Sequence, residues 1–531
     1  MKRAKLLALP AAASMFVPLL AGCGGGSDDE GDDTPVIMGS TDSVSTLDPA
    51  GAYDIGSWTV MTNTFQALMR VPNDASEPQP EAAERCGFTS RASTAYRCTL
   101  RSGLKFSNGH ALTAKDVAFS VQRTVKINDD FGPASLFGNL DRVEALGDRT
   151  VVFHLKQPDA TFPYVLATPA AAIVDQEVYP ADKLLTQDQI AGSGPYALQS
   201  IRRSSDKRKR AVQAEFVRNE NYQGGIEMKN SRFVVRWFDD SIKMQVALEK
   251  AEIDLIHRTL TPKQLVGLEQ MEDRGIKVIE APGTETRYLA FNTDDDSVKD
   301  VAVRRAMAQV LDRQALVRDV YQRTAEPLYS MIPKGITGHV NAFYNKYTEP
   351  NPKKARKLLK DADISTPVKL TFWYTSDHYG AATAEEFAEL KEQFEADGLF
   401  EVELKSRTWE DFQKGYLKRE YEVFGMGWFP DFPDPDNFIS PFMLKDNFLR
   451  LPYEDEYVQE TLIPKTRKQD QRSTVVDEFT EVQDIIAEDV PLLPLWQGKQ
   501  YVAYRDGING VQWTLDSSST FRFWVLEKGD G

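Results

Sequence analysis

The sequence predicts an α/β protein with several sheets, because short β-branched apolar runs alternate along the chain with longer amphipathic segments that carry helix caps. With 531 residues, the chain is long enough for two or three domains with cores of their own. Apolar runs of four to eight residues predict strands. The clearest of them are residues 36–41, 149–155, 233–238 and 277–283.

The first clear helix signal is a cap pattern near residue 113. Thr113 is a good N-cap residue, and Asp116 stands three residues further on, as in a capping box. Val117, Val121 and Val125 then fall on one helical face. The pattern predicts a helix that begins directly after Thr113.

Two further helices are predicted in the second half of the chain. Residues 300–321 carry one apolar stripe and predict one long helix. The members of the stripe are Val303, Met307, Val310 and Val317. Asn351 is a good N-cap, and Pro352 suits the first helical position, so a helix is expected over 351–362.

The first 22 residues predict a secretory signal peptide. Three basic residues precede an apolar run over 6–20, which is too short, and too broken by two prolines, to be a good membrane-spanning helix. The run ends in Leu20-Ala21-Gly22-Cys23, which resembles the bacterial lipobox, so Cys23 is expected to become the lipidated first residue. The alternative is an ordinary signal peptide with a chance cysteine.

Residues 23–34 predict a flexible tether, because they are rich in glycine and acidic side chains. Nothing later in the sequence is long and apolar enough to span a bilayer. We therefore expect a protein held by its lipid outside the cytoplasmic membrane, at the cell surface or on the periplasmic face.

Cysteine and charge usage fit an exported protein. Cys86 and Cys98 remain once Cys23 is lipidated, and a leftover pair in an exported protein predicts a disulfide. The formal net charge is −16, and removal of a basic signal peptide makes it more negative, so nucleic acid is not an expected partner. The basic run over 202–210 predicts a solvated hairpin tip.

Enzyme motifs are missing from the sequence. The five histidines have no zinc-ligand spacing, and no HExxH, nucleophile elbow or P-loop occurs. The sequence therefore predicts a protein that is not an enzyme and that has no cofactor and no resident metal.

The stretch GWFPDFPDPDNF, residues 427–438, is the most unusual loop. It combines prolines, which disfavour helix interiors and central strands, with aromatic and acidic residues. Six other segments have characteristic sequences: LDPA (47–50), a turn and capped helix (100–123), AGSGPYAL (191–198), VRNENY (217–222), YLAFNT (288–293) and EDVPLLPLW (488–496).

In this order and spacing, these segments resemble the extracytoplasmic solute-binding proteins of ABC importers, of the oligopeptide, dipeptide and nickel type. The resemblance covers essentially the whole mature chain. It implies a monomer with a periplasmic-binding-protein-like fold, in which two hinged lobes enclose the ligand. Lobe 1 would span 35–287 and 490–531, with an extra subdomain over about 60–187 that holds Cys86 and Cys98, and lobe 2 would span 288–489.

The resemblance also implies a role for the unusual loop. Peptide receptors of this family line the cleft with a Gly-Trp-x-x-Asp segment, which matches Gly427, Trp428 and Asp431. The aspartate would pair with the α-ammonium of the ligand, and prolines would limit the loop's freedom before binding. The alternative is a rigid turn with Trp428 in the core and Asp431 capping a backbone group.

The sequence that would bind the other end of the ligand differs from that of the dipeptide receptors, which hold the peptide carboxylate with an arginine. The matching region, 370–382, offers Asp377, His378 and Tyr379 and no arginine. Tyr374 and Tyr379 are also candidates to face the cleft. A longer peptide is therefore expected, and a cationic or modified ligand stays open. A further alternative is that Arg287 or Arg407 supplies the missing charge.

The region after LDPA contributes two more candidates, Tyr53 and Trp58, since the family often lines the cleft from here. Core packing is at least as good an interpretation for Trp58. The implied function is capture of peptides and their delivery to an ABC permease with a cytoplasmic ATPase. The alternatives are a nickel chelate or other non-peptide solute on the same fold, and a peptide-sensing surface lipoprotein.

Overall fold

The computed structural model describes residues 34–529, except 74, 76, 91, 187, 208, 381, 446 and 516–519. The predicted signal peptide (1–22), Cys23 and the tether up to residue 33 lie outside the described residues. No helix in the described ranges is long and apolar enough to cross a membrane.

Strands occur along the whole described chain and are numbered β1 to β19 in order. They are Val36–Ser40, Met69–Arg70, Gln79–Pro80, Ala83–Phe88, Ala95–Leu100, Leu140–Leu146, Thr150–Leu155, Tyr196–Arg203, Ala211–Arg218, Arg232–Trp237, Leu255–His257, Ile276–Phe291, Ala325–Pro327, Val368–Tyr374, Phe400–Ser406, Val423–Trp428, Leu492–Arg505, Ile508–Asn509 and Glu527–Lys528. The four strands expected from sequence are β1, β7, β10 and the first half of β12.

The α-helices are numbered α1 to α15 in the same way. They are Ile55–Thr64, Ala114–Ile127, Phe162–Val165, Ser241–Glu249, Pro262–Glu269, Val301–Val310, Arg313–Asp319, Ala342–Tyr347, Pro352–Asp361, Ser376–Tyr379, Ala382–Glu395, Trp409–Leu417, Ser440–Met443, Ile463–Thr466 and Val476–Asp489. Short 3-10 turns and one π-helical turn, Val458–Leu462, connect them.

Two of the helix predictions are confirmed, and one is wrong. Thr113 and Asp116 form a capping box at the start of α2, and the Asn351 side chain accepts a hydrogen bond from the Lys354 N–H at the start of α9. The single helix expected over 300–321 is two helices, α6 and α7. The chain breaks because Asp312 leaves the helical conformation and its side chain caps α7 by accepting from the Ala315 N–H.

The largest sheet of the described chain joins most of the strands in one continuous surface. Its order is β15-β14-β16-β12-β17-β11-β1-β10-β9-β8, and β13 also pairs with β17. The long strands β12 and β17 run antiparallel from the pair Ile276 and Arg505 to the pair Ala290 and Leu492. The ladder between them shifts register twice, between Pro282 and Thr286 and again after Arg287.

Separate hydrophobic cores lie at the two ends of these long strands. Buried side chains of β1, β10, β11 and the C-terminal half of β17 form a first core, which includes Val36, Phe233 and Val502. Buried side chains between residues 288 and 496 form a second core, which includes Tyr288 and Leu493. The sheet therefore passes from one core to the other through β12 and β17.

A third core belongs to a separate four-stranded sheet with the order β4-β5-β7-β6, on which α2 packs. Cys86 on β4 and Cys98 on β5 are directly paired across the ladder and joined by a disulfide. The third core spans residues 68–173 and takes in one distant side chain, Phe432 from the loop after β16.

A buried ion pair ties this sheet to the start of the chain. The Arg123 guanidinium on α2 donates to both carboxylate oxygens of Asp48, with Nη1–Oδ1 2.7 Å and Nη2–Oδ2 2.6 Å. Arg123 also donates to the Pro180 and Lys183 carbonyls, and the Leu185 N–H donates to Asp48. Asp48 belongs to the LDPA segment, so that segment fixes the packing of α2.

Replacing Asp48 with alanine should destabilise the fold strongly, because Arg123 would keep its buried charge without a negatively charged partner. Loss of one partner of a buried pair costs about 3–5 kcal/mol. Chemical denaturation of Asp48→Ala would measure the loss. Asp141→Ala is the matched control, since it removes an exposed ion pair with Arg142 and should cost under about 1 kcal/mol. Equal losses would contradict the role given to Asp48.

Candidate ligand-binding site

The unusual loop begins at the crossing between the two large cores. Gly427 and Trp428 end β16 and pair with Arg287 and Thr286 of β12. The loop then turns through residues 429–434 into a 3-10 turn, Pro435–Phe438, which Asp434 caps by accepting from the Asp436 N–H at 2.9 Å. The loop is thus anchored to the strand that joins the cores.

Asn437 fixes the internal geometry of the loop. Its side-chain oxygen accepts from the Asp431 N–H at 2.9 Å and from the Trp428 indole N–H at 3.2 Å. Its side-chain NH₂ donates to Asp431 Oδ2 at 3.0 Å. One buried amide therefore holds both Trp428 and the Asp431 carboxylate in position.

Two arginines neutralise the other aspartates of the loop. Arg472 pairs with Asp434 at 2.8 Å, and Arg467 pairs with Asp436 at 2.9 Å. Burial alone would raise the pKa of Asp436, but Arg467 outweighs burial and holds that pKa below its ordinary value. These two carboxylates therefore hold the loop in place.

Asp431 is placed differently, because its partners are neutral. Burial raises the pKa of Asp431 to about 6, while hydrogen bonds from Asn437 and Tyr53 lower it. The pKa of Tyr53 lies well above its ordinary value, because the phenol is buried and faces Asp431. Tyr53 lies near the start of the chain, so the two residues bridge distant parts of the sequence.

Asp431 lines a cavity with about 1060 Å³ of empty space, part of it open to solvent. The walls come from α1 and β2, from the segment 164–172 after β7, from the loop over 430–433 and from the C-terminal segment. The polar or charged side chains among the lining residues are Thr59, Thr62, Gln66, Arg70, Glu81, Thr168, Asp431, Thr520 and Arg522, and the aromatic ones are Trp58, Phe65, Tyr164, Phe432 and Trp524.

Trp428 packs in the second core and does not line this cavity. Its side chain is buried, and its ring contacts Phe442 and Phe448 edge-on, at centroid distances of 5.3 and 5.5 Å. The structure thus gives Trp428 the position of a core residue. Trp58, in contrast, lines the cavity, lies 5.4 Å from the Tyr53 ring and donates its indole N–H to the Ala52 carbonyl.

Gly427 lies against a stacked arginine. The Tyr379 hydroxyl accepts from the Gly427 N–H at 3.0 Å, and the Arg287 guanidinium lies 4.1 Å above the Tyr379 ring. Arg287 also forms an ion pair with Glu285. A Cβ on Gly427 would come within 1.9 Å of Arg287 Nη1, so any larger residue would force the guanidinium to shift.

The remaining candidates from sequence lie apart from the cavity. Tyr374 stacks on Phe387 at 4.7 Å, and His378 is exposed and stacks on Trp409 at 4.0 Å. Arg407 pairs with Glu420 at 2.8 Å on an exposed surface. The structure brings Tyr53 next to Asp431 and Trp58, which both line the cavity, and places Tyr374 and His378 elsewhere.

Sequence reasoning missed Gln66, Arg70 and Glu81, which line the cavity, and gave no role to Asn437. Asn437 belongs to the loop over 427–438. An asparagine beside an aspartate-rich turn indicates a side-chain amide that can hydrogen-bond to neighbouring loop residues. The other three carry no pattern that distinguishes them from surface residues. Within the described part of the chain, no group of histidine, cysteine and acidic side chains could hold a metal ion.

The continuous sheet, its two cores and the cavity beside a buried carboxylate define a two-lobed binding protein. A family model described as bacterial extracellular solute-binding proteins, family 5 middle, matches residues 77–449. The chain therefore belongs to this family. Its members bind solutes for transport and are not enzymes, which confirms the expectation from the missing enzyme motifs.

Known relatives extend over nearly the whole chain. The probable D,D-dipeptide-binding periplasmic protein DdpA of Escherichia coli K12 is 26% identical over 512 residues, which cover 93% of this chain and 94% of that protein. The glutathione-binding protein GsiB of Salmonella typhi is 25% identical over 511 residues, 92% of this chain and 93% of the relative.

A solved structure confirms the fold class. The periplasmic binding protein DppA of Helicobacter pylori, in complex with the peptide STSA, superposes with a TM-score of 0.79 at 21% identity. The match covers 94% of this chain and 98% of that one. The expected two-lobed, periplasmic-binding-protein-like α/β fold is therefore correct.

Replacing Gly427 with alanine should destabilise the protein, because the new methyl group would push Arg287 off the Tyr379 ring. Overpacking of this kind costs about 1–3 kcal/mol. Thermal unfolding would measure the loss. Gly225→Ala is the matched control, since a Cβ there meets nothing within 4 Å. An unchanged melting temperature for Gly427→Ala would contradict the close contact with Arg287.

The pKa of Asp431 predicts how stability depends on pH. Because the folded pKa is about 6 and the ordinary value is 3.8, the unfolded chain releases this proton at lower pH than the folded chain. Stability of the ligand-free protein should therefore fall as pH rises from about 4 to about 6, and this contribution should be constant above that window.

The variant Asp431→Asn lacks the titrating group, so its advantage in melting temperature over the original chain should grow between about pH 4 and pH 6 and then level off. Differential scanning calorimetry over that range checks the prediction. Asp477→Asn, at an exposed position, should show no such growth. A parallel pair of curves for Asp431→Asn and the original chain would contradict the raised pKa.

Proposed function

We propose that this protein is the substrate-binding component of an ABC importer and that it captures peptides in a cleft between its two lobes. The observation that carries the proposal is Asp431, a largely desolvated carboxylate that lines the main cavity and has only neutral partners. A ligand ammonium would supply the missing cation. Peptides carry such an ammonium at their N-terminus.

The chemistry of the site supports this role. An ionised carboxylate has about four acceptor positions, and Asn437 and Tyr53 donate to it here. The remaining positions can accept charge-assisted hydrogen bonds from an ammonium, which are stronger where water is excluded. Gly427 and Trp428 act through the geometry of the loop, because both are held by neighbours away from the cavity.

The lobes would close around the ligand. We place lobe 1 at 35–287 and 490–531, with a subdomain over about 60–187, and lobe 2 at 288–489. The separate cores at the two ends of β12 and β17 support this division. A ligand that contacts Asp431 on one side and the walls from α1 and β2 on the other would bind best when both sides meet, which favours the closed state.

Export and anchoring follow from the N-terminal residues. We propose that residues 1–22 are cleaved as a signal peptide and that Cys23 then carries lipid, which keeps the protein beside its permease. A single acyl chain binds membranes weakly, so stable anchoring requires more than one chain. The permease and its cytoplasmic ATPase are separate chains, and the binding protein itself acts as a monomer outside the cytoplasmic membrane.

The relatives support a peptide ligand. Their names state binding of D,D-dipeptides and of glutathione, and the structural neighbour is in complex with the peptide STSA. His378, from the region that matches the carboxylate-binding arginine, and the cleft candidate Tyr374 lie away from the cavity. The ligand class is therefore drawn from Asp431 and the other polar side chains that line the cavity.

Native mass spectrometry of protein purified from its own host tests this proposal. We expect bound peptides, which denaturation would release for sequencing. A metal chelate, a sugar or another non-peptide ligand would retain the binding fold and overturn the peptide assignment. Loss of growth on a peptide nutrient in a deletion strain would separate import from a sensing role.

The variant Asp431→Ala should bind the released peptide more weakly by roughly 2–5 kcal/mol, because the ammonium would lose its buried partner. Isothermal titration calorimetry with that peptide measures the change. Asp477→Ala is the control, since Asp477 is exposed and far along the chain from the loop. Unchanged affinity for Asp431→Ala would show that another group receives the ammonium.

A further inference from the structure

The main cavity has a second charged site that is separate from Asp431. Arg70 ends β2, and Glu81 follows β3, its partner in a two-stranded ladder. Gln66 lies just before β2. All three side chains line the same cavity as Asp431, although they come from a different part of the chain.

Glu81 is held firmly and orients the arginine. Its side chain is almost fully buried, Tyr222 donates its hydroxyl to Oε1 at 2.6 Å, and Gln66 donates its NH₂ to the same oxygen at 3.1 Å. The other oxygen, Oε2, lies 3.0 Å from Arg70 Nε in an ion pair without hydrogen-bond geometry. The fixed carboxylate therefore positions the guanidinium by charge.

Arg70 keeps much of its donor capacity. About a third of its side chain is accessible (34%), and its two terminal nitrogens donate no hydrogen bond to any residue that the structure describes. These nitrogens form the part of the guanidinium that matches a carboxylate in a two-point contact. Both nitrogens can therefore donate hydrogen bonds to an anionic group in the cavity.

Gln66 adds an independent sign of a ligand contact. Its side chain is 2% exposed, and its Oε1 has no hydrogen-bond donor within the described residues. A buried acceptor without a donor costs free energy, so such atoms are uncommon unless something else binds them. A ligand N–H beside the carboxylate would satisfy this oxygen.

We propose that Arg70 and Gln66 form a subsite for a carboxylate of the ligand and its neighbouring N–H group. This inference rests on the proposed function. It assigns binding residues to the ligand carboxylate, for which the sequence analysis found no matching arginine. The ligand then carries an ammonium at Asp431 and a carboxylate at Arg70. Glu81 is a positioning residue that also moderates the charge of the subsite.

Two sources could supply the carboxylate, namely the C-terminus of a peptide and an acidic side chain. A competition experiment distinguishes them. A digest of casein, rich in short peptides, is divided in two, and one half is converted to C-terminal amides with side-chain carboxylates left free. The two halves are mixed, offered to the purified full chain, and the bound peptides are quantified by mass spectrometry.

The expected result is enrichment of peptides with a free C-terminus over their amides by on the order of tenfold to a hundredfold, the range for a charge-assisted contact. Enrichment of acidic peptides irrespective of amidation would assign the carboxylate to a side chain and would also support the subsite. Binding without either preference would overturn the subsite and leave the proposed function intact. Binding of no peptide at all would instead refute the proposed function and, with it, this inference.

Variants separate recognition from structural support. Arg70→Met should abolish the preference while amidated peptides still bind, and Arg407→Met, at the exposed arginine, should leave the preference unchanged. Glu81→Gln removes the charge that positions the guanidinium, so it should weaken the preference while amidated peptides still bind. Unchanged binding of amidated peptides would show that both variants keep a folded cavity. A preference that survives Arg70→Met, or that is unchanged in Glu81→Gln, would contradict the assignment.

Discussion

The pairing of β12 with β17 is the constraint on which the rest of this structure depends. These two strands carry the sheet from one large core to the other, and their ladder is interrupted where they cross. Gly283 permits the close approach there, because a Cβ on it would come within 2.4 Å of the Gly498 carbonyl oxygen. β16 pairs with the far end of β12, so the loop that bears Asp431 starts from the crossing itself.

The three aspartates of that loop differ in their partners. Asp434 and Asp436 meet arginines and hold the loop, while Asp431 meets a phenol and an amide. Prolines reduce the freedom of the backbone, and Phe432 reaches into the core of the small sheet. Within twelve residues, the loop therefore combines two aspartates paired with arginines and one, Asp431, for which we propose ligand binding.

Local signals in the sequence predicted local structure well. The caps at Thr113 and Asn351 start helices where expected, because a cap acts over only a few residues. The break at Asp312 was missed, since the apolar stripe continues across it and only the cap reveals two helices. The full length of β12 was missed as well, because its second half resembles a separate motif.

The site was predicted only in part. Asp431 could be proposed from sequence because it stands in a segment that resembles the Gly-Trp-x-x-Asp motif of peptide receptors, and it lines the cavity. Trp428 belongs to the same motif, yet its burial depends on Phe442 and Phe448, which no spacing rule connects to it. Arg70, Glu81 and Gln66 come together through a short ladder and the distant Tyr222, so their meeting depends on tertiary folding.

The place of β17 in the sheet has a consequence for the order in which the chain can fold. This strand comes near the C-terminus, yet it lies between β11 and β12 in the middle of the sheet. Until it arrives, the first core lacks a central strand and both neighbours present unpaired edges, which are templates for aggregation. A chain in which β17 is not yet in place would thus have two incomplete cores and open sheet edges, and it would be prone to associate.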